Sequence, residues 1–171
     1  MSIIESDFID INDLDETFAE EVASSPGGEK IRLCYSCGTC TAGCPVRKVD
    51  EKFNPRRIIR MVLLGMRDKV LKSDFIWICS TCYTCSERCP QGVKISDLMM
   101  CLKNLAAKEG YIPQGFKMQL ELIANQGKLY KIDDFDNKKR EKLGLPPLPA
   151  EVGEISKLLE NIVKSFEGDT D

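Results

Sequence analysis

The stretch that decides the fold is CYSCGTCTAGCP, Cys34 to Pro45, and its pattern recurs as CSTCYTCSERCP, Cys79 to Pro90. Each run has the form C-x2-C-x2-C-x3-C-P, and together they hold eight of the nine cysteines. A structural zinc site pairs two C-x2-C motifs across a longer loop, four ligands to one metal. Three cysteines spaced by two with no gap do something else. A short turning loop aims every third side chain at a common point, so three thiolates gather around one larger object. The fourth cysteine follows a spacer one residue longer, and the proline after it fixes φ and turns the chain away. That cysteine therefore points elsewhere. Gly38 and Gly43 are read as removing side-chain bulk where the backbone must come close to what the thiolates hold.

The residue inventory narrows the chemistry. The chain of 171 residues has no histidine, which removes Ser-His and Cys-His nucleophile pairs, most catalytic metal sites, Rieske-type centres and histidine-ligated haem. Clustered cysteines then mean a disulfide framework or a metal site. The start, MSIIESDFIDINDLDETFAEE, is interrupted throughout by carboxylates, unlike a secretory signal peptide. No apolar run approaches the ~18 residues that span a bilayer. The expectation is a cytoplasmic protein with no membrane span, where thiols stay reduced and clustered cysteines bind metal.

Twinned C-x2-C-x2-C-x3-C-P runs have the spacing of bacterial two-cluster ferredoxins, in which the fourth cysteine of each run serves the other cluster. On that logic one [4Fe–4S] cluster takes Cys34, Cys37, Cys40 and Cys89, and a second takes Cys79, Cys82, Cys85 and Cys44. Crossed ligation pins the two loops together, so the clusters organise the fold as well as carry electrons. Two zinc sites and a disulfide-rich fold are the competing readings. Cys101 belongs to neither run and reads as a buried structural thiol. Trp77 and Tyr83 read either as shields of the clusters from water or as ordinary core aromatics.

Charge is unevenly spread. Residues 1–30 hold nine carboxylates and one lysine, whereas the rest carries 23 Lys and Arg against 18 Asp and Glu. The first thirty residues therefore read as an acidic, partly disordered extension, or as a docking segment that orders on a partner. As a helix it would place Leu14, Phe18 and Val22 on one face. Gly27-Gly28 reads as a flexible entry to the first run. Asn54-Pro55 is a helix start, with an Asn cap and proline in the first turn. The helix predicted over Arg56 to Met66 puts Ile58, Ile59, Val62 and Met66 on one face and Arg56, Arg57 and Arg60 on another. These arginines read as a solvated face, as compensation for cluster charge, or as partners of an acidic surface.

Further on, Ser73-Asp74 is expected to cap a turn over Phe75 to Ile78, and Ser96 to start a helix over Asp97 to Lys108. Pro113 to Ala124 predicts another helix, ending near Gly127. LGLPPLP, residues 143–149, holds three prolines and excludes a helix. Ile155 to Phe166 is amphipathic. No sustained alternation signals a sheet. The chain reads as all-α: an α-helical ferredoxin domain at 31–110, an acidic extension at 1–30, and a C-terminal helical and extended docking segment at 111–171. A net charge of −3 and the lack of interleaved basic and aromatic residues argue against nucleic acid as a partner.

The 34 residues between the runs exceed the spacer of a small bacterial ferredoxin. That helical insert is similar to the α-helical ferredoxin domain of succinate dehydrogenase and fumarate reductase iron–sulfur subunits. Those subunits carry a plant-type ferredoxin domain ahead of it, and only an acidic segment precedes Cys34 here. A wider match comes from IRLCYSCGTCTAGCPV, FNPRRIIRMVLLG and WICSTCYTCSERCPQGVKISDLM, with the acidic start and LGLPPLP. Together these resemble the C-subunit family of heterodisulfide reductases.

That resemblance implies a soluble complex of methane-forming energy metabolism. A flavin-containing A subunit supplies electrons, the C subunit relays them through two [4Fe–4S] clusters, and a B subunit with CCG motifs reduces the coenzyme M–coenzyme B heterodisulfide. A hydrogenase or formate dehydrogenase stands further upstream. This chain has neither a CCG motif nor a Gly-rich dinucleotide fingerprint. It is expected to hold no disulfide-reducing site and no flavin by that route, and to act as a non-catalytic electron-transfer subunit. The alternatives are an iron–sulfur subunit of another soluble oxidoreductase and a free-standing diffusible ferredoxin. The apolar terminal segments argue against the diffusible carrier.

Overall fold

The computed structural model describes residues 9–149 and, past them, Gly153, Ile155, Lys157, Leu158 and Leu159. Most of the amphipathic stretch Ile155 to Phe166 and the first eight residues of the acidic start lie outside the described residues. The chain divides into two compact units, Met1–Tyr111 and Ile112–Asp171. Among the described residues every regular element is helical, so the fold is all-α.

The first unit contains α1 (Phe18–Ser24), α2 (Thr39–Ala42), α3 (Pro45–Val49), α4 (Pro55–Leu63), α5 (Arg67–Leu71), α6 (Thr84–Glu87) and α7 (Ile95–Lys108). Tight 3-10 turns cover Ile11–Asp13, Ile31–Leu33 and Asp74–Ile76. Helix α4 begins where the sequence places its start. The Asn54 side chain accepts the Arg57 N–H at 3.0 Å, and Pro55 occupies a first-turn position that needs no N–H. Ile58, Ile59, Met61 and Val62 are buried while Arg56, Arg57 and Arg60 face water. The helix stops at Leu63, short of Met66, because Gly65 turns the chain with a φ of 75°. Helix α7 buries Leu98, Met99, Leu102 and Leu105. At ~1.5–3 kcal/mol for each fully buried large apolar side chain, this face is a principal source of stability. Helix α4 packs on α1, α2 and α5; α7 packs on α5 and α6; α2 and α6 pack on each other.

The acidic segment does not stand apart as an extension. Phe18 and Val22 are 0% exposed and join the cluster that holds Ile58 and Leu102, with Leu14 packed against it. The predicted apolar face is therefore used within the chain's own core. Its carboxylates find a cation there too. Arg67 donates to Asp15 at 2.7 Å, pairs with Glu21 and Glu109, and lies 4.9 Å over the Phe18 ring. Gly27 and Gly28 are packing positions. A Cβ on Gly28 would stand 1.9 Å from the Val22 carbonyl oxygen, and one on Gly27 2.7 Å from that of Asp97. Only glycine lets this turn close on α1 and α7.

Two expected caps do other work. The Ser73 hydroxyl donates back to the Val70 carbonyl at 2.6 Å. Helix α7 begins at Ile95, with no side chain capping it, and Ser96 lies buried inside the first turn.

In the second unit α8 (Gln114–Gln126) ends, as the sequence predicts, at Gly127, whose φ is 69°. Helix α9 (Asp134–Lys142) is invisible to apolar periodicity because it buries nothing; a capping box between Asp133 and Asp136 starts it. LGLPPLP is non-helical at its prolines and is tied to α9. Asn137 accepts the Leu148 N–H at 2.9 Å and donates to the Leu148 carbonyl at 3.1 Å, while Arg140 Nε donates to the Pro146 carbonyl at 2.9 Å. No helix among the described residues is long and apolar enough to cross a membrane.

Candidate metal centres

The two cysteine runs fold as matched loops. In each, both neighbours of the second cysteine adopt left-handed backbone: Ser36 (φ 63°) and Gly38 (φ 85°) around Cys37, Thr81 (φ 52°) and Tyr83 (φ 62°) around Cys82. Among the described residues these three non-glycine positions are the only ones with positive φ. A β-branched threonine there is an outlier, and such residues cost about 1–3 kcal/mol each unless their surroundings impose them. After each left-handed pair the chain makes one helical turn, α2 or α6, which carries the third cysteine. The hydroxyl that follows it then grips a core helix, α4 in the first half and α7 in the second. Thr41 Oγ1 accepts the N–H of Arg56 at 3.1 Å, and Ser86 Oγ accepts that of Ser96 at 2.9 Å. Arg56 and Ser96 are the second residues of α4 and α7. Thr41 also donates to Asn54 at 2.8 Å, joining the first run to the α4 cap.

This docking creates two cavities of nearly equal size, about 320 and 330 Å³ including space open to solvent. Cys34, Cys37, Cys40 and Cys89 line the first, and Cys44, Cys79, Cys82 and Cys85 line the second. All eight cysteines of the runs thus divide four and four, each fourth cysteine standing with the other run's three. The remaining lining differs. Tyr35, Arg56 and Gln91 border the first cavity; Ser80, Ser96, Val46, Phe53, Pro55 and Met99 border the second; Ile95 borders both. Among the described residues no three thiol or carboxylate groups converge closely enough to hold a single metal ion. The thiols are instead spread around a volume, which is what a ligand with four corners requires. Four soft sulfur donors and no imidazole are a donor set suited to an iron–sulfur cluster. None of the nine cysteines is in a disulfide.

Within each set the thiols differ by depth. Cys37 and Cys82 are exposed, and each sits beside the threonine two residues on, at 3.4 Å for Thr39 and 3.5 Å for Thr84. Those contacts lower both thiol pKa values. Cys40 and Cys85 lie deeper, and burial raises theirs. Cys85 also has the Ser96 hydroxyl at 3.5 Å. The paired threonines are readable as the shared T-C of CGTC and CYTC. Ser96 carries no such signal, because its role depends on where α7 packs.

Some expected roles fall to other residues. Gly43 lines neither cavity; a Cβ there would meet Arg88 Nη1 at 3.2 Å, so it makes room for the residue at its matching position in the second run. Trp77 is partly buried against the core and Tyr83 is 49% exposed, and neither borders either of the two cysteine-lined cavities. Cys101 is buried at 2% exposure among the α7 core residues, and burial raises its pKa. Of the three arginines on α4, only Arg56 reaches a cavity.

Comparison with known proteins agrees with this architecture. Residues 30–93 match the family model of the 4Fe-4S dicluster domain. The iron-sulfur C subunit of the CoB–CoM heterodisulfide reductase of Methanopyrus kandleri is 38% identical over 159 residues, covering 89% of this chain and 82% of that protein. The C subunit of the H2:CoB–CoM heterodisulfide,ferredoxin reductase of Methanothermobacter thermautotrophicus is 32% identical over 94% of this chain and 85% of its own. The C2 subunit of the H2/formate:CoB–CoM heterodisulfide,ferredoxin reductase of Methanococcus maripaludis is 39% identical over 78% and 75%. Likeness of this degree, over most of both chains and around two matched cysteine loops, makes this chain a member of the C-subunit family of heterodisulfide reductases, the iron–sulfur subunits of an oxidoreductase.

Proposed function

We propose that this chain relays electrons inside a cytoplasmic heterodisulfide reductase complex, with two [4Fe–4S] clusters held by Cys34, Cys37, Cys40 and Cys89 and by Cys79, Cys82, Cys85 and Cys44. The observation that carries the reading is the exchange of the fourth cysteines, Cys89 bordering the first cavity and Cys44 the second. Bound clusters supply reversible one-electron transfer, with potentials set by burial, charge and hydrogen bonds to sulfur. The chain's own residues do the rest. Eight thiolates ligate, and the hydroxyl groups of Thr39, Thr84 and Ser96 stand at hydrogen-bond distance from Cys37, Cys82 and Cys85. Val46, Phe53, Ile95 and Met99 limit water around the second centre. Ligation supplies the constraint that the left-handed residues beside Cys37 and Cys82 otherwise lack.

The names of the relatives support the wider assignment. The donor is a flavin-containing A subunit, fed by a hydrogenase or formate dehydrogenase. The acceptor is a B subunit with CCG motifs, which reduces the coenzyme M–coenzyme B heterodisulfide. No CCG motif, histidine or dinucleotide fingerprint occurs in this chain, so the disulfide chemistry belongs to its partner. Exposed Phe116, Met118, Leu129 and Tyr130 and the proline-rich stretch offer apolar surface for docking.

The test is anaerobic purification from native cells with mass spectrometry of what accompanies the chain. A flavoprotein and a CCG-motif protein are expected, with reduced viologen oxidised by the heterodisulfide. Recovery of the chain alone with its clusters intact would make it a diffusible carrier.

A further inference from the structure

We infer that Arg56 sets the difference in reduction potential between the two centres, holding the Cys34, Cys37, Cys40 and Cys89 centre above the other. This rests on the ligand assignment proposed above. The two halves of the chain provide an internal comparison. Arg56 and Ser96 hold comparable places, each second in the core helix that its run grips (α4, past the short α3, and α7), with each backbone N–H bound by the matching hydroxyl, Thr41 or Ser86. One position carries a cation and the other a neutral hydroxyl. The Arg56 guanidinium lies over the first loop: Nη1 is 3.5 Å from the Ser36 carbonyl oxygen and 3.6 Å from where a Cβ on Gly38 would stand. Residues 36 and 38 flank Cys37, and Arg56 borders the first cavity. Arg57 and Arg60 border neither.

The sign follows from electrostatics. One-electron reduction adds a negative charge, which a nearby fixed cation favours and an apolar surround disfavours. The threonine contacts nearly cancel, at 3.4 Å to Cys37 and 3.5 Å to Cys82. Ser96 at 3.5 Å from Cys85 favours the second centre, but with the dipole of one hydroxyl against a full charge. The second cavity is otherwise bordered by Ser80, at the place Tyr35 holds in the first, and by the apolar Val46, Phe53, Pro55, Ile95 and Met99. The cation and the lining therefore act in the same direction. Arg56 is exposed, so water screens part of its field. Within this chain electron flow is then downhill from the second centre to the first.

The test is a redox titration of the anaerobically purified, cluster-loaded full chain, followed by electron paramagnetic resonance after iron and sulfide analysis. Wild type, R56Q, R56K and R57Q are compared, with C37S marking the signal of the first centre. In R56Q the first centre is expected to lose at least threefold in its share of the electron against the second, ~28 mV at 59 mV per tenfold for one electron. R56K and R57Q keep most of the gap. An unchanged gap in R56Q, or an equal loss in R57Q, overturns the role of Arg56. If R56Q does not load its clusters, the wild-type order decides: a first centre at the lower potential overturns the inference. Fewer than two [4Fe–4S] clusters in wild type overturns the ligand assignment instead.

Discussion

The Ser86 hydroxyl accepts the backbone N–H of Ser96 at 2.9 Å, in a buried site where the second cysteine loop meets the first turn of α7. Thr41 and Arg56 repeat that contact at 3.1 Å in the first half, on the exposed side of α4. One hydroxyl in each run therefore sets where its loop stands relative to a core helix. The two contacts differ in how much water can replace them. S86A is expected to leave the Ser96 N–H unpaired in the interior at a cost of about 1–3 kcal/mol. T41A should cost less than half of that. Anaerobic urea unfolding of the cluster-loaded variants measures both, and equal costs would contradict the difference in burial.

Exchange of the fourth cysteines gives a prediction that runs against sequence proximity. In C44S the centre that suffers is expected to be the one bordered by the second run, 35 residues and more downstream. In C89S it is the one bordered by the first. Site-resolved Mössbauer and paramagnetic resonance spectra on the two variants check this, and damage to the nearer run in each case would refute crossed ligation.

Cys101 serves as a contrast. It is buried among the α7 side chains, away from both sets of four. C101A is expected to keep the wild-type iron content and spectra while losing about 1 kcal/mol of stability to the small cavity left behind. Loss of iron would make the ninth cysteine a ligand.

Asp15 carries a pH dependence. Its pKa is lowered from 3.8 to about 2, first by the Thr17 hydroxyl and then by Arg67. A carboxylate depressed in the folded state stabilises it above the unfolded pKa, and that contribution disappears as the pH falls from about 4 towards 2. With part of Asp15 exposed to water the effect is on the order of 1 kcal/mol. D15N is expected to be destabilised by that amount at pH 7, with the gap to wild type narrowing steadily as the pH falls from about 4 towards 2. Urea midpoints across this range test it, and a gap that does not narrow would contradict it.

Gly28 tests the closure of the acidic segment on the core. A methyl group there would stand 1.9 Å from the Val22 carbonyl, a contact that backbone cannot relieve by a side-chain rotation. G28A is expected to cost about 3 kcal/mol or more by displacing α1. Proteolysis rates of residues 14–28 in the variant and wild type measure it. Equal rates would mean that the turn has slack.

Local signals carry the sequence reading far. The cysteine spacing, the Asn54-Pro55 start of α4, the apolar faces of α4 and α7 and the Gly127 stop of α8 are all legible, because caps, turns and periodicity depend on residues a few positions apart. Helix α9 escapes for the same reason: its cap is local but it has no apolar stripe to read. The face of Leu14, Phe18 and Val22 is legible as a face, whereas its destination in the core is not.

What the sequence by itself determined is the set of eight thiols in two matched runs, the all-α character and the membership of a cluster-binding class. Tertiary structure decided which elements those runs meet. It buries Phe18 and Val22 of the acidic segment in the core, while the carboxylates beside them pair with Arg67 from α5. It selects Arg56 over Arg57 and Arg60 at the first cavity, and it turns Ser96 from an expected cap into a neighbour of Cys85. Those outcomes depend on the distance between side chains far apart in the chain, which packing sets and no local pattern encodes.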